Sequence, residues 1–433
     1  MSSKITIVGG GGHVGLPLGI ALANAGADVA LYDTHAPRVA EIAAGKMPFV
    51  EWGADEALTK ALASGHLSAT TDPASIASAE VVIVTIGTPV DEFLDPKVRS
   101  FDRAIRALHP HFRAGQLVVL RSTVFPGMTD RLVEWFSQEG PAVDVAFCPE
   151  RIAQGFALKE LYELPQIVSG SSPKAVARAR TLFKLLTSDL VELPPVEAEL
   201  AKLFANTFRY VNFAISNQLY LIAGKFGADF SRIHGAVTYK YPRLAGFPKA
   251  GFAGGPCLLK DTMQLAGFNH NSFPIGQAAM MVNEGLPSAL VERVKLSRDL
   301  SNDTAAILGM AFKGNCDDPR DSLSYKLRKV LTLSCREVLC TDPYIRDESF
   351  VSLDEALERA DIVFIGACHS EYKRLRFKQP VVDVFDFLPK NAEPLRRAAW
   401  EATAFGEPAT RVPTRRLMSP VRLKVFDHSL KDS

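Results

Sequence analysis

The 433-residue sequence has few cysteines and no excess of charge of either sign. Its six cysteines form no CxxC pair and its nine histidines form no HExxH motif, which argues against a zinc site and a disulfide framework. Lys and Arg number 49 against 48 Asp and Glu, so no basic excess points to nucleic acid or to an anionic membrane surface. We therefore expect no metal and no nucleic-acid partner, and the cysteine usage suits a reducing cytoplasm.

A long uninterrupted apolar run is also missing. Residues 5–27 carry no charged side chain, but several glycines and Pro17 interrupt the segment. A signal peptide or membrane helix needs a continuous apolar stretch, so we expect neither. With 47% hydrophobic residues and a length well beyond that of a single core, the chain is expected to form two or three globular domains.

Short β-branched segments alternate with helical segments in the first part of the chain. The predicted strands cover residues 5–8, 29–32, 81–85, 117–120 and 144–147. Alternating β and α units are typical of a parallel, doubly wound sheet, which predicts an α/β Rossmann domain over residues 1–195.

The middle and the end of the chain differ in pattern. Residues 196–235 form one long helical pattern with few helix breakers, and we expect helices to dominate residues 196–300. Strand segments return at residues 305–308, 338–339, 362–365 and 381–384, which predicts a second Rossmann-like domain over residues 301–390. Residues 391–433 contain four prolines and are expected to form a loosely structured tail or to pack on a partner subunit.

A glycine-rich turn follows the first predicted strand. Gly10, Gly12 and Gly15 form a GxGxxG motif at the start of a helix, and Asp33 follows the next strand, 21 residues after Gly12. The glycines allow a pyrophosphate to approach the helix N-terminus. A carboxylate at Asp33 accepts from a ribose 2′-OH and repels a 2′-phosphate, so the motif predicts NAD rather than NADP. The alternative is a glycine-rich turn without a ligand, and His13 within the turn is not expected to act as a base.

A single cysteine stands just after a Gly-Gly-Pro turn. Proline favours the first helical position, so Cys257 is predicted to lie in a first helical turn, where the helix dipole would lower its pKa. Asp261 follows four residues later on the same helix face. These features favour a nucleophilic thiolate, and the alternative is an inert buried cysteine.

Four further polar residues are candidates for the same chemistry. Lys202 and Asn206 stand four residues apart on the long helix and share one face, although a lone lysine there is more often solvated. Thr123 and Glu150 follow predicted strands, which places them at the ligand-binding edge of a parallel sheet. The alternative for both is a turn residue or a helix cap.

Ordered motifs cover the chain to about Leu388 and resemble those of the nucleotide-sugar 6-dehydrogenases, the family of UDP-glucose dehydrogenase and UDP-N-acetylmannosamine dehydrogenase. The segments that carry the resemblance are KITIVGGGGHVGLPL, STVFPG, CPERIAQG, ELAKLFANTFR, GFAGGPCLLKD, GMAFKGNCDDPRDS, and TDPY with ADIVFIGACHSEY. The resemblance implies an N-terminal NAD domain, a central helical region whose long helix forms a dimer core, and a C-terminal domain for the nucleotide sugar. The apolar long helix itself also favours a homodimer, with burial between the two α/β domains of one chain as the alternative.

The resemblance also implies a role for each candidate residue. Cys257 would be the nucleophile, Lys202 and Asn206 would stabilise oxyanions, Thr123 and Asp261 would organise water, and Glu150 would assist hydrolysis. The expected substrate contacts are Glu150, Lys202, Asn206, Arg243 from the same or the second subunit, Phe252, Gly254, Lys313 and Arg320. The expected NAD contacts are Gly10, Gly12, His13, Val14, Gly15, Asp33, Arg38, Thr88 and Thr123.

The expected activity is the NAD-dependent, four-electron oxidation of the C6 alcohol of a UDP-sugar to a uronic acid through a Cys257 thiohemiacetal and thioester. A two-electron hydroxyacid dehydrogenase would need no Cys257, and a catalytically silent NAD-binding scaffold would not need intact Lys202, Asn206 and Asp261. The choice of sugar stays open, because Gln166 replaces a frequent family arginine. Tyr241-Pro-Arg243 resembles the N-acetylhexosamine branch, as does His369-Ser-Glu-Tyr372, whereas Lys260-Asp261 resembles the glucose branch.

Overall fold

The computed structural model describes residues 3–88, 90, 91, 94 and 97–389, so the predicted tail at 391–433 lies outside the described residues. The strands are β1 (Lys4–Val8), β2 (Asp28–Tyr32), β3 (Leu67–Thr70), β4 (Val81–Val84), β5 (Leu117–Leu120), β6 (Asp144–Phe147), β7 (Gln166–Val168), β8 (Leu190–Glu192), β9 (Thr304–Leu308), β10 (Glu337–Thr341), β11 (Ile362–Ile365) and β12 (Val381–Val382). The α-helices are α1 (Gly15–Asn24), α2 (Ala36–Ala43), α3 (Ala54–Ala63), α4 (Ala74–Ala77), α5 (Val98–Ala107), α6 (Met128–Glu139), α7 (Ala157–Glu163), α8 (Pro173–Phe183), α9 (Pro195–Lys225), α10 (Phe230–Thr238), α11 (Leu258–Phe268), α12 (Pro274–Lys295), α13 (Leu323–Thr332) and α14 (Leu353–Arg359).

The N-terminal part is built on a parallel six-stranded sheet in the order β3-β2-β1-β4-β5-β6. All residues of β4 and β5 are buried, as expected for strands that helices cover on both faces. The order reverses between β1 and β4, which creates a crevice at the carboxyl ends of these strands. A doubly wound sheet binds its ligand at such a crevice, so the topology fixes where a site should lie.

The predicted strands of this sheet are confirmed within one residue at their ends, but β3, β7 and β8 were not predicted. The sequence of β3 is Leu-Ser-Ala-Thr at an edge of the sheet, where only Leu67 is buried. Strands β7 and β8 have three residues each and pair only with each other among the described strands. Such short strands lack the apolar run on which sequence prediction depends.

Helices α9, α11 and α12 form the central region, and α9 packs against both of the others. With 31 residues, α9 is about 46 Å long. The single helical pattern predicted to continue to residue 235 is wrong in one respect, because α9 ends at Lys225 and α10 starts at Phe230. Gly227 adopts a positive φ of 65°, and the Asp229 side chain caps α10 by accepting from Arg232 N at 3.2 Å.

The C-terminal part contains a second parallel sheet, in the order β10-β9-β11-β12. Residues of β9 and β11 are all buried, because helices and loops cover both faces of these central strands. The four predicted strand segments correspond to the four strands of this sheet. Together with the first sheet and the helical centre, it gives the predicted architecture of two Rossmann-like domains joined by helices.

A buried carboxylate connects α9 to the first domain. Glu199 has no exposed surface and accepts from the backbone N–H of Gly127 at 2.7 Å, from that of Thr129 at 2.8 Å and from the Thr129 hydroxyl at 2.6 Å. These groups form the start of α6, whose N-cap Gly127 has no side chain to satisfy them.

Replacement of this carboxylate should destabilise the protein. Glu199→Ala leaves the buried donors of α6 without a partner, and we expect the free energy of unfolding to fall by about 2 kcal/mol. Urea denaturation measures the loss. Glu197→Ala is the matched control, because Glu197 is exposed on the same helix, and equal stability of the two variants would contradict the prediction.

Candidate functional site

The turn between β1 and α1 has no room for a side chain at Gly10 or Gly15. A Cβ atom at Gly15 would lie 2.5 Å from the Gly9 carbonyl oxygen, and one at Gly10 would lie 2.8 Å from Leu31 Cα. Asp33 follows β2, and its carboxylate accepts from Gly11 N and from His35 N, both at 3.0 Å. The turn therefore presents its backbone at the helix N-terminus with a fixed carboxylate beside it, an arrangement that fits the pyrophosphate and ribose of a dinucleotide.

The other residues predicted around this turn lie beside it. Val14 is the N-cap of α1, and the Arg38 side chain lies next to Gly11, whose Cβ would be 2.9 Å from Arg38 Cδ. The His13 ring stacks on Phe49 with centroids 4.0 Å apart. Burial, and secondly the positive charge of Arg320, lower the pKa of His13 to about 4, so its imidazole is neutral at pH 7.

Arg320, which is predicted to hold the UDP-sugar, lies against the glycine turn, and its positive charge also acts on the Cys257 thiol. Its guanidinium pairs with Asp318, with Nη2 2.6 Å from Oδ2, and Nη2 also lies 3.4 Å from His13 Nδ1. This contact joins the C-terminal domain to the mouth of the NAD crevice. Val50 N donates to Asp317 Oδ2 at 3.1 Å and adds a second link between the same domains.

Thr88 and Thr123 meet at the carboxyl edge of the first sheet, as their predicted positions require. Thr88 follows β4 and Thr123 follows β5, and the Thr88 hydroxyl donates to the Thr123 carbonyl oxygen. Gln264 of α11 donates through Nε2 to the Thr88 carbonyl oxygen at 3.0 Å. The helix that begins just after Cys257 is thus attached to the cofactor side of the crevice.

The predicted catalytic residues of α9 and α11 lie together. Asp261 is fully buried, and its carboxylate accepts from Asn206 Nδ2 and from Lys260 Nζ, both at 2.5 Å. Cys257 is the N-cap of α11, one position before the predicted first turn, and the residue as a whole is exposed. Lys202 is half-buried on α9, and its positive charge acts on the Cys257 thiol.

The predicted lowering of the Cys257 pKa is wrong. The pKa of this thiol is raised, chiefly because the surrounding protein limits its solvation and secondly because the Asp261 carboxylate is near. Lys202, Lys260 and Arg320 act in the opposite direction without reversing the shift. The prediction gave the helix terminus the larger weight, whereas burial of the thiol, which the sequence does not show, and the negative charge of Asp261 outweigh it.

Glu150 is buried, and three hydrogen bonds fix its carboxylate. It is 6% exposed, its Oε2 accepts from Arg121 Nη2, and its Oε1 accepts from Arg151 N at 2.6 Å and from Ile152 N at 2.9 Å. Arg121 is almost fully buried and also donates to Gln166 Oε1 at 2.9 Å. Gln166, noted as a departure from the family pattern, therefore serves as an acceptor for the arginine that neutralises Glu150.

The residues predicted for the nucleotide sugar are spread around the second domain. Phe252 is buried edge-on against Phe385, with centroids 5.5 Å apart, and Gly254 lies against the Asp321 carbonyl. Lys313 Nζ donates to the Gln154 carbonyl oxygen, and burial lowers the lysine pKa. Arg243 is exposed, with its guanidinium 5.5 Å from the ring centroid of Tyr241, and no described contact joins it to Cys257.

Sequence reasoning missed Arg121, Gln154, Asp318 and Gln264, which hold the predicted residues or their loops. Only Gln264 had a usable signal, because it stands seven residues after Cys257 and therefore on the same helix face. Among the described residues no group of three His, Cys, Asp or Glu side chains could bind a metal ion. No described helix combines the length and hydrophobicity that a membrane span requires.

Three family models match the chain in order. They are the NAD binding domain of the UDP-glucose/GDP-mannose dehydrogenase family at residues 3–187, its central domain at 196–285 and its UDP binding domain at 306–389. A UDP-N-acetyl-D-mannosamine dehydrogenase of Pyrococcus horikoshii is 32% identical over 85% of this chain and 90% of its own length. An NDP-N-acetyl-D-galactosaminuronic acid dehydrogenase of Ralstonia nicotianae is 29% identical over 86% and 92%.

Solved structures of nucleotide-sugar dehydrogenases are also similar to this chain. The P. horikoshii UDP-D-ManNAc dehydrogenase aligns with a TM-score of 0.82 at 30% identity, covering 89% of this chain and 96% of that one. A UDP-glucose dehydrogenase of Pyrobaculum islandicum aligns with a TM-score of 0.81 at 27% identity, covering 89% and 95%. These matches confirm the predicted NAD cofactor and the nucleotide-sugar substrate class. The chain belongs to the UDP-glucose/GDP-mannose dehydrogenase family.

Proposed function

We propose that this NAD-dependent enzyme oxidises the C6 primary alcohol of a UDP-N-acetylhexosamine to a carboxylate, with Cys257 as the covalent nucleophile. One observation carries the proposal. The exposed Cys257 stands at the N-terminus of α11, beside a buried Asp261 that joins Asn206 and Lys260, and the same helix contacts the cofactor edge at Thr88. A two-electron dehydrogenase would need no thiol at this point.

The reaction balances with two molecules of NAD and one of water. NAD, when bound, accepts a hydride from the carbon that is oxidised. The alcohol loses one hydride and one proton to give an aldehyde, and the Cys257 sulfur adds to the carbonyl carbon to form a thiohemiacetal. Loss of a second hydride and proton gives a thioester. Water then displaces the sulfur, which releases the carboxylate and returns the thiol.

The surrounding side chains are suited to these steps. We assign the ammonium group of Lys202 and the amide of Asn206 to stabilise the oxyanion that forms when sulfur attacks the aldehyde. Burial, and secondly the Asp261 charge, raise the pKa of Cys257, so its sulfur needs a proton acceptor when it attacks, and we assign Asp261 to that role. Thr123, at the carboxyl edge of the first sheet, and Glu150, fixed by Arg121, are assigned to position the attacking water.

The N-acetylhexosamine assignment rests on the relatives and on the loop around Arg243. Both named curated relatives act on N-acetylated sugars by their names. UDP-glucose is the second candidate, because the sequence Lys260-Asp261 resembles the glucose branch and the P. islandicum structure is a UDP-glucose dehydrogenase. Phe252, Gly254 and Lys313 are assigned to the nucleotide sugar, and Lys313 would exchange the Gln154 carbonyl for the ligand.

We further propose a homodimer formed through α9, acting in the cytoplasm. An apolar stripe on α9 is at least 41% exposed at every position, and it consists of Phe204, Phe208, Ile215, Leu219, Ile222 and Phe226. Spacings of three, four and seven residues place these side chains on one helix face. A partner would cover this stripe and bring a second Arg243 to the assembly. All six cysteines are free thiols, which suits a reducing compartment.

The central test counts NADH formed per sugar consumed, with UDP-N-acetylmannosamine, UDP-N-acetylgalactosamine and UDP-glucose as substrates. The wild type should release two NADH and a carboxylate from an N-acetylated substrate. Cys257→Ser should lower steady turnover by orders of magnitude, because a hydroxyl is a far weaker nucleophile than a thiol. Cys335→Ser, which changes a half-buried free cysteine between α13 and β10 in the C-terminal domain, is the control. One NADH per sugar, or unimpaired Cys257→Ser, would refute the mechanism, and a preference for UDP-glucose would refute the sugar assignment.

The carboxylate beside the glycine turn should determine cofactor choice. NAD should exceed NADP in kcat/KM by at least about 100-fold, because Asp33 repels an added 2′-phosphate. Asp33→Asn should narrow that ratio by about tenfold or more, chiefly through KM. Asp72→Asn is the control, since Asp72 is an exposed residue in the turn after the neighbouring strand β3. If Asp33→Asn keeps the wild-type ratio of kcat/KM for NAD to kcat/KM for NADP, the carboxylate does not discriminate between the ribose 2′-OH and a 2′-phosphate.

We expect the exposed apolar stripe of α9 to be buried in the dimer interface. Phe208 in this stripe is 69% exposed, so Phe208→Glu should introduce a charge into the interface and produce monomers in light scattering. Leu333→Glu changes a 90% exposed residue of the C-terminal domain and should leave the dimer intact. A wild type that remains monomeric at all concentrations would exclude the interface.

A further inference from the structure

One buried side chain on helix α11 has a carbonyl oxygen without a hydrogen-bond partner among the described residues. Gln264 is 1% exposed and lies on α11, on the face that carries Cys257 and Asp261. Its Nε2 donates to the Thr88 carbonyl oxygen at 3.0 Å. A carbonyl only accepts, so this bond fixes the orientation of the amide and turns Oε1 the other way. Within the described part of the chain, Oε1 has no hydrogen-bond partner.

An unsatisfied buried acceptor costs about 1–3 kcal/mol, so its persistence calls for a group that fills it. The location identifies that group. Thr88 follows β4, on the far side of the strand-order reversal from the turn that holds Asp33. In a doubly wound sheet the two halves of a dinucleotide occupy opposite sides of the reversal, so the nicotinamide half belongs where Gln264 meets Thr88.

We propose that Gln264 Oε1 accepts a hydrogen bond from the carboxamide N–H of the nicotinamide. This inference rests on the proposed function only in that NAD must occupy the crevice beside Asp33. Cys257 and Gln264 stand seven residues apart on α11, about 10 Å along the helix axis. A single rigid helix would then hold both the nucleophile and the contact that fixes the rotation of the nicotinamide ring.

The test compares NAD with 3-acetylpyridine adenine dinucleotide, in which a methyl group replaces the carboxamide NH₂ and no N–H donor remains. Dissociation constants are measured by calorimetry on the full-length protein without sugar. The wild type should bind NAD about tenfold more tightly than the analogue. Gln264→Met keeps a similar volume but removes the acceptor. This variant should therefore bind NAD and the analogue with nearly equal dissociation constants, because its affinity for NAD falls while its affinity for the analogue does not.

Thr262→Val is the matched control, because Thr262 is a fully buried polar residue of the same helix whose hydroxyl donates to Leu258 O at 2.8 Å. It should keep the wild-type ratio. The inference is overturned if the wild type binds NAD and the analogue equally tightly. It is also overturned if Gln264→Met keeps the wild-type ratio of the two dissociation constants, or if the wild type binds neither dinucleotide. Because sugar is absent, these results are independent of the number of NADH formed per turnover, which tests the Cys257 mechanism separately.

Discussion

The geometry of the site depends on the burial of the Asp261 carboxylate. A buried charge is costly unless it is paired and hydrogen-bonded, and Asp261 meets this condition through Asn206 of α9 and the adjacent Lys260. These bonds hold the start of α11 against α9. Cys257 is therefore fixed at one end of a helix whose other contact, through Gln264, is with the cofactor edge. Burial, and secondly this carboxylate, raise the pKa of the thiol, so the arrangement that positions the nucleophile also disfavours its thiolate form.

The loop after β6 connects the first domain to the C-terminal domain. Glu150 anchors its start on the buried Arg121, and Gln154 near its end contacts Asp318, with Nε2 3.1 Å from Oδ2, and the ammonium group of Lys313. Glu51 holds the end of the loop through the N–H groups of Gly155 and Ala157. A ligand that engages Lys313 must therefore act on the loop that carries Glu150. This offers a physical route by which nucleotide-sugar binding and the cofactor edge influence each other.

Local signals in the sequence were sufficient for the sheets, the glycine turn and the acid at Asp33, because each depends on residues close together in the chain. The three missed strands, β3, β7 and β8, depend on edge pairing rather than on apolar runs. The raised pKa of the Cys257 thiol and the pairing of Glu150 with Arg121 could not be predicted, since the burial around the thiol and the position of Arg121 exist only in the fold. The contact of Arg320 with His13 is of the same kind.

The most direct measurement of the central claim is the chemical state of Cys257 during turnover. The enzyme is mixed with NAD and a UDP-N-acetylhexosamine and quenched with acid within its first turnovers. It is then digested, and the masses of its peptides are measured by mass spectrometry. The account predicts that the peptide containing Cys257 carries the mass of the nucleotide-sugar acyl group, and that Lys202→Ala lowers its yield. NADH production with no adduct on Cys257, or with an adduct on another cysteine, would contradict the account.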